Sequence, residues 1–144
     1  MRTLTWVALM GAVVGATGCG GQSRKELSKG ANAICARFSK QGAALGSPDL
    51  TDPAAARTYF TKAAALAEKQ QDELEGLDPS GDAKDDFDAL TSATGRATKL
   101  LNDLAAASGD QAGDRYRSLV RSLSSISDDV DRSAQELGAQ SCAG

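Results

Sequence analysis

The sequence contains no histidine and few aromatic residues: one tryptophan, two tyrosines and three phenylalanines in 144 residues. The lack of histidine removes the usual general base at neutral pH and the commonest metal ligand in proteins. Because aromatics are scarce and no run alternates apolar with polar residues, the usual marks of β-strands are missing too. We therefore expect an all-α protein that is not an enzyme and that has no catalytic residue, metal site or cofactor.

Serine is abundant, but no serine lies in a pattern typical of an activated nucleophile. The group at positions 122–127 has neither the Gly-x-Ser-x-Gly turn of hydrolases nor a Ser-x-x-Lys arrangement. Acidic residues at 78–82 suggest calcium, yet alanines stand where a calcium loop needs its central glycine and its closing glutamate. We interpret this stretch as helix capping, and the carboxylates at 128–131 as a solvated helix face rather than a metal site.

The first 18 residues differ in character from the rest of the chain. Arg2 precedes an uncharged apolar run from Leu4 to Ala16. This run is shorter than the roughly 20 residues that span a membrane, and it matches the core of a secretory signal peptide followed by small residues. We predict that residues 1–18 are a signal peptide that is removed by cleavage.

The end of this segment, Ala16-Thr17-Gly18-Cys19, resembles the lipobox of bacterial lipoproteins, with alanine at 16 where leucine is usual. The resemblance implies that Cys19 receives a diacylglycerol, that cleavage occurs just before it, and that its new amino group is often acylated. The alternative is an ordinary secretory signal that leaves Cys19 as a thiol. Residues 19–23 are small and polar, and we expect them to form a lipidated, flexible tether.

Two further cysteines, Cys35 and Cys142, form an even pair in a chain expected to reach an oxidising compartment. A disulfide between them would close a loop of 107 residues. The chain-entropy model assigns such a loop about 4–5 kcal/mol of stability. The alternative is that both are buried free thiols, or that one is reactive.

Residues 24–144 contain four segments with apolar residues at helical spacing, separated by short connections rich in glycine or proline. We expect Thr51 or Asp52 to cap the second helix, Ser80 or Asp82 to cap the third, and Gly138 to end the fourth. The expected core faces are Leu27, Ala31, Ile34, Phe38 and Leu45; Ala56, Phe60, Ala63, Ala67, Gln70, Leu74 and Leu77; Ala83, Phe87, Leu90, Thr94, Ala97, Leu101 and Leu104; and Ala112, Tyr116, Leu119, Leu123, Ile126, Val130, Ser133 and Leu137. This pattern predicts one domain, a single antiparallel up-down-up-down four-helix bundle.

In such a bundle the end of the fourth helix lies beside the start of the first, where Cys142 can reach Cys35. Cys35 stands about 18 Å of continuous helix beyond Ser23. We therefore expect the segment before Gly30 to project below the bundle as a basic stalk, with Arg24, Lys25 and Lys29 near the lipid.

Two short stretches, Asn32-Ala33-Ile34-Cys35 and Gln140-Ser141-Cys142-Ala143-Gly144, resemble those of a loose class of small helical envelope lipoproteins of bacteria. The resemblance implies an exported protein that is lipid-anchored to the outer face of the cell membrane, or to the outer membrane of a double-membrane cell. Removal of residues 1–18 takes away Arg2 and leaves 15 basic against 19 acidic residues, so nucleic acid is not an expected partner.

Two functions remain open on these observations. The first is a non-enzymatic interaction or structural module that engages an envelope protein or the cell wall. The alternative is a carrier or sensor that binds a small apolar ligand between the helices. An enclosed apolar cavity above roughly 300 Å³ would favour the carrier, and a filled core would favour the module.

Overall fold

The computed structural model describes residues 20–144, which form four α-helices joined by short connections. The helices are α1 (Arg24–Ala43), α2 (Pro53–Glu75), α3 (Lys84–Ala107) and α4 (Asp114–Leu137). Single 3₁₀ turns precede α3 and follow α4, at Gly81–Ala83 and Gln140–Cys142. Since this part of the chain contains no strand, the all-α prediction is confirmed. The predicted signal peptide and Cys19 lie outside the described residues.

Consecutive helices run antiparallel, as the contacts between them show. Arg37 in α1 forms an ion pair with Glu73, whereas Gly30, earlier in α1, lies against Leu77, later in the chain. The same reversed order relates the next two helix pairs, through the contacts Gln71 with Gly95, Arg57 with Gly109, Asp129 with Arg96 and Arg115 with Asp103. The predicted up-down-up-down four-helix bundle is confirmed.

The first two helices begin at capped residues. Ser23 and Glu26 form a reciprocal capping box at the start of α1, in which the Ser23 N–H donates to the Glu26 carboxylate at 3.0 Å. At the start of α2, Asp52 accepts hydrogen bonds from two backbone N–H groups, and Pro53 occupies the first helical position. Of the two candidates for this cap, Asp52 is therefore the one used.

The predicted cap of α3 is wrong, because neither Ser80 nor Asp82 caps it. The helix follows a 3₁₀ turn and has no side-chain hydrogen bond at its N-cap. The Ser80 hydroxyl instead donates to the backbone oxygen of Gln22 at 3.0 Å. Asp82 pairs with Arg24 at 3.5 Å. Both side chains therefore hold the N-terminal part of the chain to the α2–α3 connection.

The core formed by residues 20–144 consists of two clusters at different heights. We call the end where α1 begins and α4 ends the base, and the opposite end the top. The cluster near the base draws on all four helices and on the chain after α4, through Leu27, Ala31, Cys35, Leu74, Ala83, Phe87, Leu90, Ala134, Leu137, Ala139 and Cys142. The cluster near the top draws on α2, α3 and α4 alone, around Ala56, Phe60, Leu100 and Leu104. The helix α1 therefore joins the common core only near the base.

Helix α4 is less buried than its apolar pattern predicts. Of its expected core face only Ser133 and Leu137 are buried, and Leu123 is 36% exposed. The main helix packing is between α2 and α3 and between α3 and α4, and α1 does not pack along α4. Because no helix within residues 20–144 covers the side of α4 that would face α1 above the base, this part of the bundle is open on that side.

A disulfide bond between Cys35 and Cys142 is present, with Cα atoms 4.9 Å apart. Gly138, in the left-handed region at φ 81°, ends α4 and turns the chain back along α1. We call residues 138–144 the C-terminal tail. Its first carbonyl accepts a hydrogen bond from the Ser28 hydroxyl at 2.7 Å, and the Ser141 N–H donates to the Asn32 side chain at 2.7 Å. The tail therefore follows α1 up to Cys35.

The predicted basic stalk is wrong. Leu27 is fully buried in the core near the base, and the Arg24 guanidinium donates to the Glu136 carbonyl at 3.0 Å. The prediction of a stalk depends on placing Cys142, and with it Cys35, at the base of the bundle. In the structure α4 extends below that level, to Leu137 beside Leu27, and the C-terminal tail then carries Cys142 back.

Replacing Cys35 and Cys142 together by alanine is expected to lower the free energy of unfolding by about 2–4 kcal/mol, because the unfolded chain is no longer closed into a large loop. Urea unfolding at equilibrium measures this loss. Reductant should destabilise the wild type by a similar amount and leave the double variant unchanged. Equal unfolding free energies for the oxidised wild type and the variant would contradict the expectation.

Candidate functional site

The described residues contain neither a membrane-spanning helix nor a metal-binding cluster. No helix within residues 20–144 is both long and apolar enough to cross a bilayer. The same residues bring no three acidic or cysteine side chains together as candidate metal ligands. In the 128–131 group, Asp129 pairs with Arg96 at 3.0 Å, and Asp131 accepts a hydrogen bond from the Gly144 N–H.

Within residues 20–144, the buried polar side chains are paired and the serine group of α4 is mostly exposed. Every buried side-chain nitrogen and oxygen in this part of the chain has a hydrogen-bond partner. In the serine group of α4, the Ser122 hydroxyl donates to the Ser118 carbonyl within the helix. The other serines of the group, Ser124, Ser125 and Ser127, are exposed. The features that remain as candidate sites are the base and the surface grooves.

At the base, the residues just before α1 are bound to the α2–α3 connection. The Gln22 N–H donates to the Asp78 carbonyl at 2.6 Å, and the Asp78 N–H donates to the Gln22 side-chain oxygen at 3.2 Å. The Ser80 hydroxyl completes the set by donating to the Gln22 carbonyl. We call residues 21–22 the N-terminal strap. Within the predicted tether, residues 21–22 are therefore bound to the α2–α3 connection and Ser23 caps α1, whereas Gly20 is exposed.

The strap needs glycine at position 21. A Cβ atom on Gly21 would lie 2.6 Å from the backbone oxygen of Asp78, closer than such atoms approach. A Cβ atom on Gly20 would meet nothing within 4 Å. The two neighbouring glycines therefore differ: one is packed against the bundle and the other faces open space.

Arg24 connects the elements that meet at the base. Its guanidinium donates to the backbone oxygens of Asp82 and Glu136 and forms an ion pair with Asp86 at 2.7 Å. The hydrogen bond to Asp86 is the main reason why the pKa of Arg24 lies above its usual value. One side chain thereby ties α1 to the α2–α3 connection, to α3 and to the end of α4.

The base carries more acidic than basic residues. Residues 20–29, 75–88 and 136–144 include eight acidic and four basic side chains.

The Ser23 hydroxyl and, to a smaller extent, the Ser23 N–H lower the pKa of Glu26 through hydrogen bonds to its carboxylate. The capping box is therefore complete above the usual pKa of glutamate and loses its contribution as the pH falls through the lowered value.

On the open side of the bundle lies an apolar groove of about 270 Å³, which we call the α3–α4 groove. It is lined by Ala97, Leu100 and Leu101 of α3, by Leu123, Ile126, Ser127, Val130 and Asp131 of α4, and by Cys142 and Gly144 of the C-terminal tail. Val120, one turn from Leu123, is 42% exposed and extends the apolar surface towards the top. Among the residues that line the groove, the one charged side chain is that of Asp131, and its carboxylate accepts a hydrogen bond from the Gly144 N–H of the C-terminal tail.

Two further grooves lie where the end of α1 meets α2. One of about 430 Å³ has an apolar floor that includes Leu45 and Leu66, with Lys62 and Lys69 beside it. The other, of about 380 Å³, lies between Leu45 and the start of α2. Both are wide open to solvent, as is the α3–α4 groove, so none of the three is an enclosed ligand cavity.

Comparison with protein-family models, curated proteins and solved structures finds no match to this chain. The function therefore has to follow from the residues of this chain alone.

Of the site residues predicted from the sequence, the structure joins Cys35 to Cys142 and does not describe Cys19. The strap and the α3–α4 groove were not predicted. A sequence signal for the groove does exist in α4. Its apolar side chains, which include Val120 as well as Leu119 and Leu123, form a stripe that is too wide to be covered by one neighbouring helix.

Replacing Arg24 by alanine is expected to lower the urea midpoint of unfolding and to speed amide exchange at the end of α4, because the base loses its shared cation. Lys25 is the matched control, being exposed and without an ion pair within residues 20–144. Its replacement by alanine should leave both measurements unchanged. Equal effects of the two substitutions would show that Arg24 does not connect these elements.

Proposed function

We propose that this protein is a lipid-anchored, non-enzymatic module of the bacterial cell envelope, whose α3–α4 groove binds another envelope protein. The observation that carries the proposal is the open apolar groove beside exposed Val120 and Leu123. Exposed apolar surface of this kind, bordered by polar residues, is typical of protein interaction sites. The groove would form the apolar centre of an interface.

A polypeptide suits this groove better than a cell-wall glycan does. Six of the ten lining residues are leucine, isoleucine, valine or alanine, and the Asp131 carboxylate is already bonded to the Gly144 N–H. A glycan presents many hydroxyl groups, each of which loses water on binding and needs a hydrogen-bond partner. Leucine or aromatic side chains of a partner protein need only the apolar contact that the groove supplies.

The open grooves favour an interaction module over the alternative of a carrier for a small apolar ligand. A carrier needs a cavity that removes most of the ligand surface from water. The grooves described above are open to solvent, and the clusters at the base and top are packed with side chains. The absence of histidine and the hydrogen bonds made by the buried polar groups support the non-enzymatic part of the proposal.

The proposed address and anchor rest on the sequence of residues 1–19. A short uncharged apolar run and small residues before Cys19 support export, cleavage and acylation at this cysteine. Two or three acyl chains would hold the protein durably on the outer face of the cell membrane, or on the outer membrane in a double-membrane cell.

Mass spectrometry of the protein from bacterial membranes tests the anchor. We expect the mature chain to begin at Cys19 and to carry the added mass of a diacylglyceryl group, with or without a further acyl chain. The variant Cys19→Ser should carry no lipid. An unmodified Cys19 thiol in the mature wild-type protein would overturn this part of the proposal.

Photo-crosslinking in intact cells tests the groove. A photoreactive residue at position 123, in the α3–α4 groove, is expected to give a discrete protein adduct, and adding Val120→Glu should reduce it at least several-fold. The matched control is position 125, exposed on another face of α4. The same adducts from both positions would contradict a protein site in the groove, and a co-purifying small apolar molecule would favour the carrier.

A further inference from the structure

We infer that the base of the bundle faces the lipid headgroups and that the N-terminal strap holds the domain upright on the membrane. The inference rests on the proposed acylation of Cys19. It adds which surface meets the lipid and what fixes the orientation. The partner at the base is a lipid surface, whereas the α3–α4 groove remains available to a protein.

The length of chain between Cys19 and the bundle is the first argument. Only Gly20 and Gly21 separate Cys19 from Gln22, which is hydrogen bonded to the α2–α3 connection. Three residue steps span at most about 11 Å even when the chain is fully extended. Gln22 therefore stays within that distance of the acylated residue, and in a bilayer the glycerol of the lipid group lies at the headgroup level.

The position of the strap on the bundle is the second argument. Gln22 is bound to Asp78 and Ser80, at the end of the bundle where α1 and α3 begin and where α2 and α4 end. The helices are 20–24 residues long, so the top lies about 35 Å from the base. An attachment point so close to one end brings the base, and not the top, to the membrane.

The strength of the attachment is the third argument. Gly21 packs against the Asp78 backbone without room for a Cβ atom, and Gln22 takes part in three hydrogen bonds. Behind the strap, Arg24 ties the surrounding elements together. The strap is thus joined to a connected base rather than to one isolated loop, and the attachment point could move away from the base only if these contacts broke.

The charge of the base shows why the strap is needed for this orientation. Its eight acidic and four basic side chains would be repelled by anionic headgroups. Charges of the base that lie within the Debye length of the bilayer, about 8 Å at physiological salt, would feel that repulsion. Electrostatics therefore disfavours the base as the contact surface, so release of the strap should let the base move away.

Energy transfer from the protein to the bilayer tests the inference. The full lipidated protein is placed in phosphatidylcholine vesicles that contain phosphatidylglycerol and a headgroup-labelled acceptor lipid. A donor dye is attached through an unnatural residue, so that no cysteine is added, either at Asp85 at the base or at Ala112 at the top, both exposed. Because the sites differ in height by about 35 Å, we expect about twofold or greater transfer from position 85.

Gly21→Ala and Gly20→Ala are the matched variants. The first pushes the strap off Asp78 and should bring the transfer from the two positions to within error of each other. The second adds the same methyl group in open space and should preserve the wild-type ratio. As a second test that leaves the strap contacts intact, a flexible glycine-serine insert of about ten residues between Gly20 and Gly21 should also equalise the two positions.

The outcomes separate this inference from the proposed function. If the wild-type protein carries no lipid and does not associate with vesicles, the proposed anchor fails. If it is acylated and vesicle-bound but transfers energy equally from both positions, or more from position 112, the inference on orientation is overturned. An unchanged ratio in Gly21→Ala would overturn the role of the strap, and an unchanged ratio in the insertion variant would overturn the role of the short link between Cys19 and the strap.

Discussion

The attachment of α1 to the end of α4 is the constraint on which the rest of the structure depends. These two helices do not pack along their lengths, so their connection is concentrated near the base. There Leu27 and Leu137 share one core cluster, Arg24 binds the Glu136 carbonyl, and the C-terminal tail follows α1 to the disulfide. Because this connection is confined to the base, the base is closed and highly bonded, while the side between α1 and α4 stays open above it.

This division between a closed base and an open side gives the proposed module two separate surfaces. The base takes up the N-terminal strap through Gln22 and Asp78, close to the proposed lipid anchor. The α3–α4 groove lies on the open side, with Leu123 and Val120 exposed to solvent. The disulfide borders both regions, since Cys142 belongs to the core near the base and also lines the end of the groove. Anchoring and recognition would therefore use different faces of one small domain.

Helix number, order and most ends were predictable because they depend on local sequence. Apolar spacing predicts the four helices, the Asp52 carboxylate and the left-handed backbone of Gly138 mark helix ends locally, and the even number of remaining cysteines suggests the disulfide. The errors depend on distant contacts. Ser80 resembles a cap but bonds to Gln22, far away in sequence. The apolar stripe of α4 shows which residues can be buried, but not that α1 leaves them uncovered. The strap rests on three hydrogen bonds between Gln22 and residues 56 and 58 positions further along the chain, and no local pattern indicates such a pairing.

The disulfide also decides how the protein would carry a mechanical load. Tension that enters at Gly20 reaches α1 first and can peel it only as far as Cys35, where the covalent link passes the force directly to Cys142. Residues 36–141, which include α2, α3 and α4, are bypassed and cannot be drawn out in series. A domain pulled between its N-terminus and the end of its chain would thus yield only the first turns of α1, and most of the bundle would stay folded under strain.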